Sequence, residues 1–201
     1  MTGISCTIVS ALTLTLLTAA VHAGAQEVNS KVVRSKPAVP LEIDGVPCAA
    51  GYIFREETTG RLRQCRLDRD AIVHNASLKK GTLVALNPDG SIRHVFLPDT
   101  TTMVGGHSCR GGGHDWMTHF HPNGELRLCW LSRDEIVQGV PCSRATFRGE
   151  FFGRKYATTE FHANGALASC IATAETDAGG WHYKAGARVK LDQNGQAVRE
   201  R

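Results

Sequence analysis

The sequence predicts an all-β fold, a meander of about five tandem β-hairpin repeats braced by disulfides. Three observations carry that expectation. A turn ending in Asn-Gly or Asp-Gly recurs through the chain, apolar residues alternate along the strands that enter it, and cysteines recur at fixed distances from its glycine. No segment sustains a helical period.

The turns come first. Four clear copies read Leu86-Asn87-Pro88-Asp89-Gly90, Phe120-His121-Pro122-Asn123-Gly124, Phe161-His162-Ala163-Asn164-Gly165 and Leu191-Asp192-Gln193-Asn194-Gly195, and a looser one runs from Phe54 to Gly60. Asn and Asp tolerate turn conformations, and glycine takes the left-handed conformation that closes a hairpin. Successive turn glycines are 30, 34, 41 and 30 residues apart, a period that belongs to stacked supersecondary units.

The incoming strands follow. Counting back from each turn by even steps gives Leu86, Val84, Thr82; Phe120, Thr118, Trp116; Phe161, Thr159, Ala157; and Leu191, Val189, Ala187. Period two marks a strand with one buried face. On the outgoing strands, apolar residues stand two residues after the glycine (Leu62, Ile92, Leu126, Leu167) and again at five and seven. The odd step of three breaks the alternation, so a bulge or sharp twist after each turn is expected to restore the phase. The array is expected to be extended or gently curved rather than a closed barrel.

The cysteines obey the same register. Cys65, Cys129 and Cys170 each lie five residues after a turn glycine, whereas Val95 and Glu200 hold that position in the other copies. Cys48, Cys109 and Cys142 each follow a glycine by three, and the corresponding positions elsewhere hold Leu78 and Tyr183. Both cysteines of a repeat are present together or absent together. Pairing within a repeat explains this, which predicts Cys48 with Cys65, Cys109 with Cys129, and Cys142 with Cys170. Each bridge closes a loop of roughly 20 to 30 residues, worth about 3 to 3.5 kcal/mol in the chain-entropy model. A metal-binding cysteine cluster is a weak alternative, because no Cys-x-x-Cys pair occurs.

Ahead of the repeats, Ile4 to Ala20 is an uncharged apolar stretch followed by Ala23-Gly24-Ala25, the pattern of a secretory signal peptide over residues 1–25, cut before Gln26. No Lys or Arg precedes it. A retained anchor is the alternative, disfavoured by the short segment and the cleavage-like triplet. Cys6 precedes the apolar core and stays outside the disulfide count. Residues 26–40 lack turn-strand alternation and are expected to form a disordered tether, with 41–201 as a single repeat domain. Six cysteines in an exported chain fit a secreted or periplasmic protein without stable membrane insertion after cleavage. The formal charge of +4 is spread through all repeats. That distribution reads as a solvated surface and argues against nucleic acid, which calls for clustered Lys and Arg with interleaved aromatics.

These Asn-Gly turns with flanking apolar positions over residues 41–201 resemble the MORN-like β-hairpin repeat proteins, including bacterial antitoxin-type relatives. The unit here is longer, and the Tyr-x-Gly and Gly-x-Trp elements of that class are missing. The resemblance implies an interaction scaffold and transfers no catalytic residue.

The densest polar segment runs from His107 to His121. His119 and His121 are two apart on a strand and are expected on one face, where with His114 or Asp115 they offer three ligands to Zn²⁺ or Cu²⁺. Against this, the position of His121 is polar in the other copies (Asn87, His162, Asp192), as suits a turn shoulder. Ser108 or Cys109 with His107 or His114 makes a poor nucleophile-base pair, since Cys109 is assigned to a disulfide and adjacent side chains seldom face each other. Gly111-Gly112-Gly113 lacks the Lys-Ser/Thr and helix start of a phosphate cradle. Asp68 with Asp70, and Asp134 with Glu135, read as turn or edge residues. Trp116 falls on the core face, whereas Trp130 lies off it and is the best surface aromatic.

The expectation is therefore a non-catalytic binding scaffold that needs no cofactor and presents its surface to a partner protein or an envelope polymer. The alternative is a metal carrier or metal-dependent hydrolase centred on His114, His119 and His121. An inhibitor of a secreted enzyme is a third reading, because disulfide-braced loops make a rigid wedge.

Overall fold

The computed structural model describes residues 31–99, 101–112, 116–145 and 157–198. Among these residues there are twenty strands and no helix. Ten strands form one open antiparallel sheet. They are β1 (Val32–Ser35), β4 (Ile53–Glu56), β5 (Leu62–Arg66), β8 (Leu83–Leu86), β9 (Ile92–Phe96), β12 (Met117–Phe120), β13 (Leu126–Trp130), β16 (Thr158–Phe161), β17 (Leu167–Ile171) and β20 (Arg188–Lys190), adjacent in that order. The Asn-Gly and Asp-Gly turns join its long hairpins, as the sequence predicts.

Between those hairpins the chain makes a second set. Five short ones are formed by β2 (Leu41–Ile43) with β3 (Val46–Cys48), β6 (Ala71–Val73) with β7 (Ala76–Leu78), β10 (Thr102–Val104) with β11 (His107–Cys109), β14 (Glu135–Val137) with β15 (Val140–Cys142), and β18 (Thr176–Ala178) with β19 (Trp181–Tyr183). Each turns on two residues with positive φ, from Asp44-Gly45 (51° and 75°) to Gly179-Gly180 (57° and 76°). That is the tight turn whose twist matches paired strands.

The short hairpins cover one face of the sheet, and the core lies between the two layers. Val73, Leu78, Val104, Val137 and Val140 from the hairpins join Leu62, Val84, Val95, Leu131, Leu167 and Val189 from the sheet region in one buried cluster. Every position that the alternation assigns to the core on the outgoing strands is buried. Burying one such Leu or Val stabilises by roughly 1.5–3 kcal/mol.

The three cystines tie the layers together with the pairing that the repeat register predicts: Cys48 to Cys65, Cys109 to Cys129, and Cys142 to Cys170, each with Cα atoms 5.6 Å apart. Beside each, the backbone adds a bridge between hairpin and sheet: Cys48 with Leu67, Cys109 with Leu131, Cys142 with Ala172. Three disulfides fit an oxidising, extracytoplasmic environment. No helix among the described residues is long and apolar enough to cross a membrane.

The expected bulges are present. In β5, Gln64 faces Phe54 but Leu62 faces Arg55, which leaves Arg63 as the additional residue. The same shift singles out Arg93 in β9, Arg127 in β13 and Ala168 in β17. Core residues therefore stand on both sides of two consecutive outward residues, which accounts for the odd step of three.

One expectation needs correction. Part of the segment read as a disordered tether is a strand: Val32–Ser35 pairs along its length with β4, and Lys31 Nζ reaches Glu57 at 3.2 Å. The edge of β4 offers unpaired backbone groups, which four residues of extended chain satisfy without any turn signal of their own. The signal segment, Cys6 and His114 lie outside the described residues.

Candidate functional site

The sheet face turned away from the hairpin layer is the candidate site. Its rows follow from the register. One row runs Gln64, Ala85, His94, then His119, Leu128, Glu160, Ser169 and Lys190; the next runs Arg66, Leu83, Phe96, Met117, and then Trp130 with Thr158. Apolar, aromatic and imidazole side chains fill the middle of these rows, with Arg66 and Lys190 at opposite ends. A groove of about 600 Å³ lies on this face, lined among others by Met117, His119, Leu128, Trp130, Glu160 and Arg188.

Trp130 lies off the core face but is half-buried at the groove, so it is not the best surface aromatic: Trp181 in β19 is more exposed. Its ring meets that of Trp116 edge-on with centroids 5.2 Å apart, and the Arg110 guanidinium sits 4.4 Å from the Trp116 ring. Trp116 itself is buried, but against Trp130 and Arg110 and not within the common core cluster. These contacts fix the Trp130 ring without covering it.

His119 lies on the open face beside His94, ring centroids 5.9 Å apart. Burial and the charge of Arg127 lower the pKa of His119, while burial, Arg93 and His119 itself lower that of His94. Both rings therefore favour the neutral form. His121 does not join them, because its Nε2 lies 2.8 Å from the Phe161 carbonyl of the next long hairpin. His162 repeats the contact one unit on, 2.9 Å from the Leu191 carbonyl. The turn-shoulder histidines thus link neighbouring repeats. Asn123 and Asn164 reinforce the link through Nδ2–H bonds to the carbonyls of Ala163 and Gln193. Among the described residues, no group of three or more His, Cys, Asp or Glu is arranged to hold a metal ion.

The other polar candidates have structural partners. Ser108 is fully buried and donates both its backbone N–H, at 2.8 Å, and its hydroxyl to Glu135, and His107 Nδ1 approaches the same carboxylate at 3.3 Å. Burial alone would raise the Glu135 pKa, but the hydrogen bonds from Ser108 and His107 together hold it below the ordinary carboxylate value. Cys109 is disulfide-bonded. Asp70 accepts from Lys80 N at 2.8 Å and from Lys79 Nζ at 2.7 Å, and Asp134 accepts from Arg144 N at 2.8 Å. These carboxylates close the bases of the short hairpins.

The bulge arginines escaped the sequence reading. Leu62 and Cys65 both face the core, so Arg63 and Gln64 between them face outward; the same holds for Arg93 with His94 and for Arg127 with Leu128. Arg127 lines a depression with Leu128 and Glu160. The signal was present, as Arg recurs three residues after the turn glycine in three copies.

Comparison with protein families, curated proteins and solved structures finds no match to this chain.

Proposed function

We propose that this protein is a non-catalytic binding scaffold of the secreted or periplasmic space that engages its partner with the open face of the ten-stranded sheet. The observation that carries this reading is the two-layer construction. One sheet face is sealed by disulfide-anchored hairpins, while the other leaves Met117, Leu128 and Trp130 around a groove of about 600 Å³. Partly exposed aromatic and apolar side chains fixed on rigid strands lose little conformational entropy on binding. Binding rather than reaction is supported by the commitments of the polar groups: Ser108 to Glu135, Cys109 to Cys129, and His121 to the Phe161 carbonyl. The MORN-like likeness of the turns accords with a scaffold role.

A photo-crosslinking residue placed at Met117, on the open face, and separately at Ile72, on the outer hairpin layer, tests the reading in the native extracytoplasmic fluid. Adducts from position 117 and none from 72 are expected. Adducts from 72 alone would reject the assignment.

A further inference from the structure

The fold sorts charge that the sequence leaves mixed. Across β4, β5, β8, β9, β12, β13, β16, β17 and β20 there are seven Arg or Lys against only Glu56 and Glu160. The strands of the short hairpins carry Glu42, Glu135 and Asp177 and no Arg or Lys, while the segments that join them to the sheet carry both signs, with Lys79 and Lys80 on Asp70. The strands of one layer are basic and those of the other acidic.

The basic layer has a geometry as well as a sign. Arg63, Arg93 and Arg127 occupy the same bulge position in β5, β9 and β13, which alternate with β8 and β12 in the sheet. With strands about 4.8 Å apart, these positions repeat about every 9.6 Å across the face. None of the three has a carboxylate within salt-bridge distance among the described residues. Glu160 shares a depression with Arg127 yet makes no such pair with it. Arg93 and Arg127 are exposed and stand ready for an external anion, whereas Arg63 is half-buried with its Nη1 shut off from solvent. The guanidinium fork of donors fits a carboxylate or sulfate in two-point contact.

Resting on the open-face reading above, we propose that the occupant of this face is an extended anionic polysaccharide bearing carboxylate or sulfate groups at regular intervals. Six-membered sugar rings linked in an extended chain advance by about one strand spacing each. Acidic groups on alternate rings therefore meet alternate strands. The apolar face of a ring has Trp130 and Met117 to rest on. An acidic peptide draws affinity from main-chain bonds at a sheet edge, which this face does not offer. Single-stranded nucleic acid stacks successive bases on a series of aromatic platforms, whereas Trp130 is the one Trp, Phe or Tyr lining this groove. An oxidising compartment also favours a glycan.

The test measures binding of the full mature chain, at low salt, to hyaluronate and polygalacturonate, with dextran, polyglutamate and oligo-dT alongside. Binding to at least one acidic glycan is expected, weakening as salt rises and falling about tenfold, or about 1.4 kcal/mol, in Arg93→Gln/Arg127→Gln. Glu175→Gln/Asp177→Asn on the hairpin layer should leave it unchanged. Circular dichroism confirms that the variants fold. No binding to either acidic glycan, equal or tighter binding of polyglutamate or oligo-dT, or indifference to the arginine pair overturns the proposal. If the glycans fail while position 117 still forms adducts, the occupant is wrong and the face stands; if both fail, both fall.

Discussion

Leu78 and Val95 stand at the two ladder positions that cystine fills in three other repeats. Leu78 pairs with Ala71 across its short hairpin as Cys48 pairs with Leu41 and Cys142 with Glu135, and Val95 occupies in β9 the place of Cys65, Cys129 and Cys170. Both are buried in the common core. This repeat also has Pro98 where Asp68, Ser132 and Thr173 donate a backbone N–H to the hairpin, so it lacks that bond too.

The variant Leu78→Cys/Val95→Cys is expected to oxidise to a fourth bridge closing the same loop length as Cys48 with Cys65. The cross-link is worth about 3 kcal/mol of chain entropy, partly offset by the lost apolar burial. Peptide mapping under non-reducing conditions should recover the link between the introduced thiols. Two free thiols would mean that the repeats are not equivalent here.

Thr118 and Thr159 carry buried hydroxyls with no hydrogen-bond partner among the described residues. They face Val95 and Cys129, and the equivalent positions in the outer repeats are Val84 and Val189. A buried hydroxyl without a partner costs about 1–3 kcal/mol. Each Thr→Val replacement should therefore stabilise by about 1 kcal/mol and raise Tm by about 2–4 °C. A fall in Tm on thermal unfolding would show that these hydroxyls are satisfied.

Gly124 and Gly165 close equivalent turns at φ of 88° and 78°, but their surroundings differ. A Cβ on Gly165 meets open space, whereas one on Gly124 would run into the His74 carbonyl oxygen and lie 2.8 Å from the Asn75 Cβ of a neighbouring turn. Gly165→Ala should cost about 1–2 kcal/mol for the left-handed backbone. Gly124→Ala should cost more, because backbone must also move. Equal losses in urea unfolding would contradict the contact between the turns.

Acid should destabilise the protein in two steps. His94 and His119 have lowered pKa values in the folded state, so stability is full above their unfolded value of about 6.5 and declines as pH falls below it. Glu135 is also lowered, and its contribution is lost only as pH falls through the carboxylate range. His94→Gln/His119→Gln should flatten the fall in Tm between about pH 7 and 5.5 while leaving the lower step. A fall in that window unchanged in the double variant would remove these rings from the account.

Much of this fold was legible in the sequence because its signals are local. The turn glycines, the period-two strands, the bulge demanded by Leu62 and Cys65 three apart, and the cystines that come and go in pairs each fix one feature of a repeat. The short hairpins were harder to see. Their strands are three residues long, and turns such as His74-Asn75 and Gln138-Gly139 depart from the usual pairs, although Asp44-Gly45 carried the signal. Strand β1 was invisible because the edge of β4, not its own composition, orders it. The site was the least legible part. Basic and acidic residues alternate along each repeat, and only folding separates Arg93 and Arg127 from Glu135 and Asp177 into opposite layers. His121 looked like a ligand partner of His119 because the strand period puts them together, but the turn carries its ring to the next hairpin.

Arginine-directed labelling of the native protein, with and without its bound partner, shows which layer the partner covers. Protection of Arg93 and Arg127, with Arg69 and Arg133 on the hairpin layer still reactive, is the predicted result. Protection of Arg69 and Arg133, with Arg93 and Arg127 unchanged, would contradict binding at the open face.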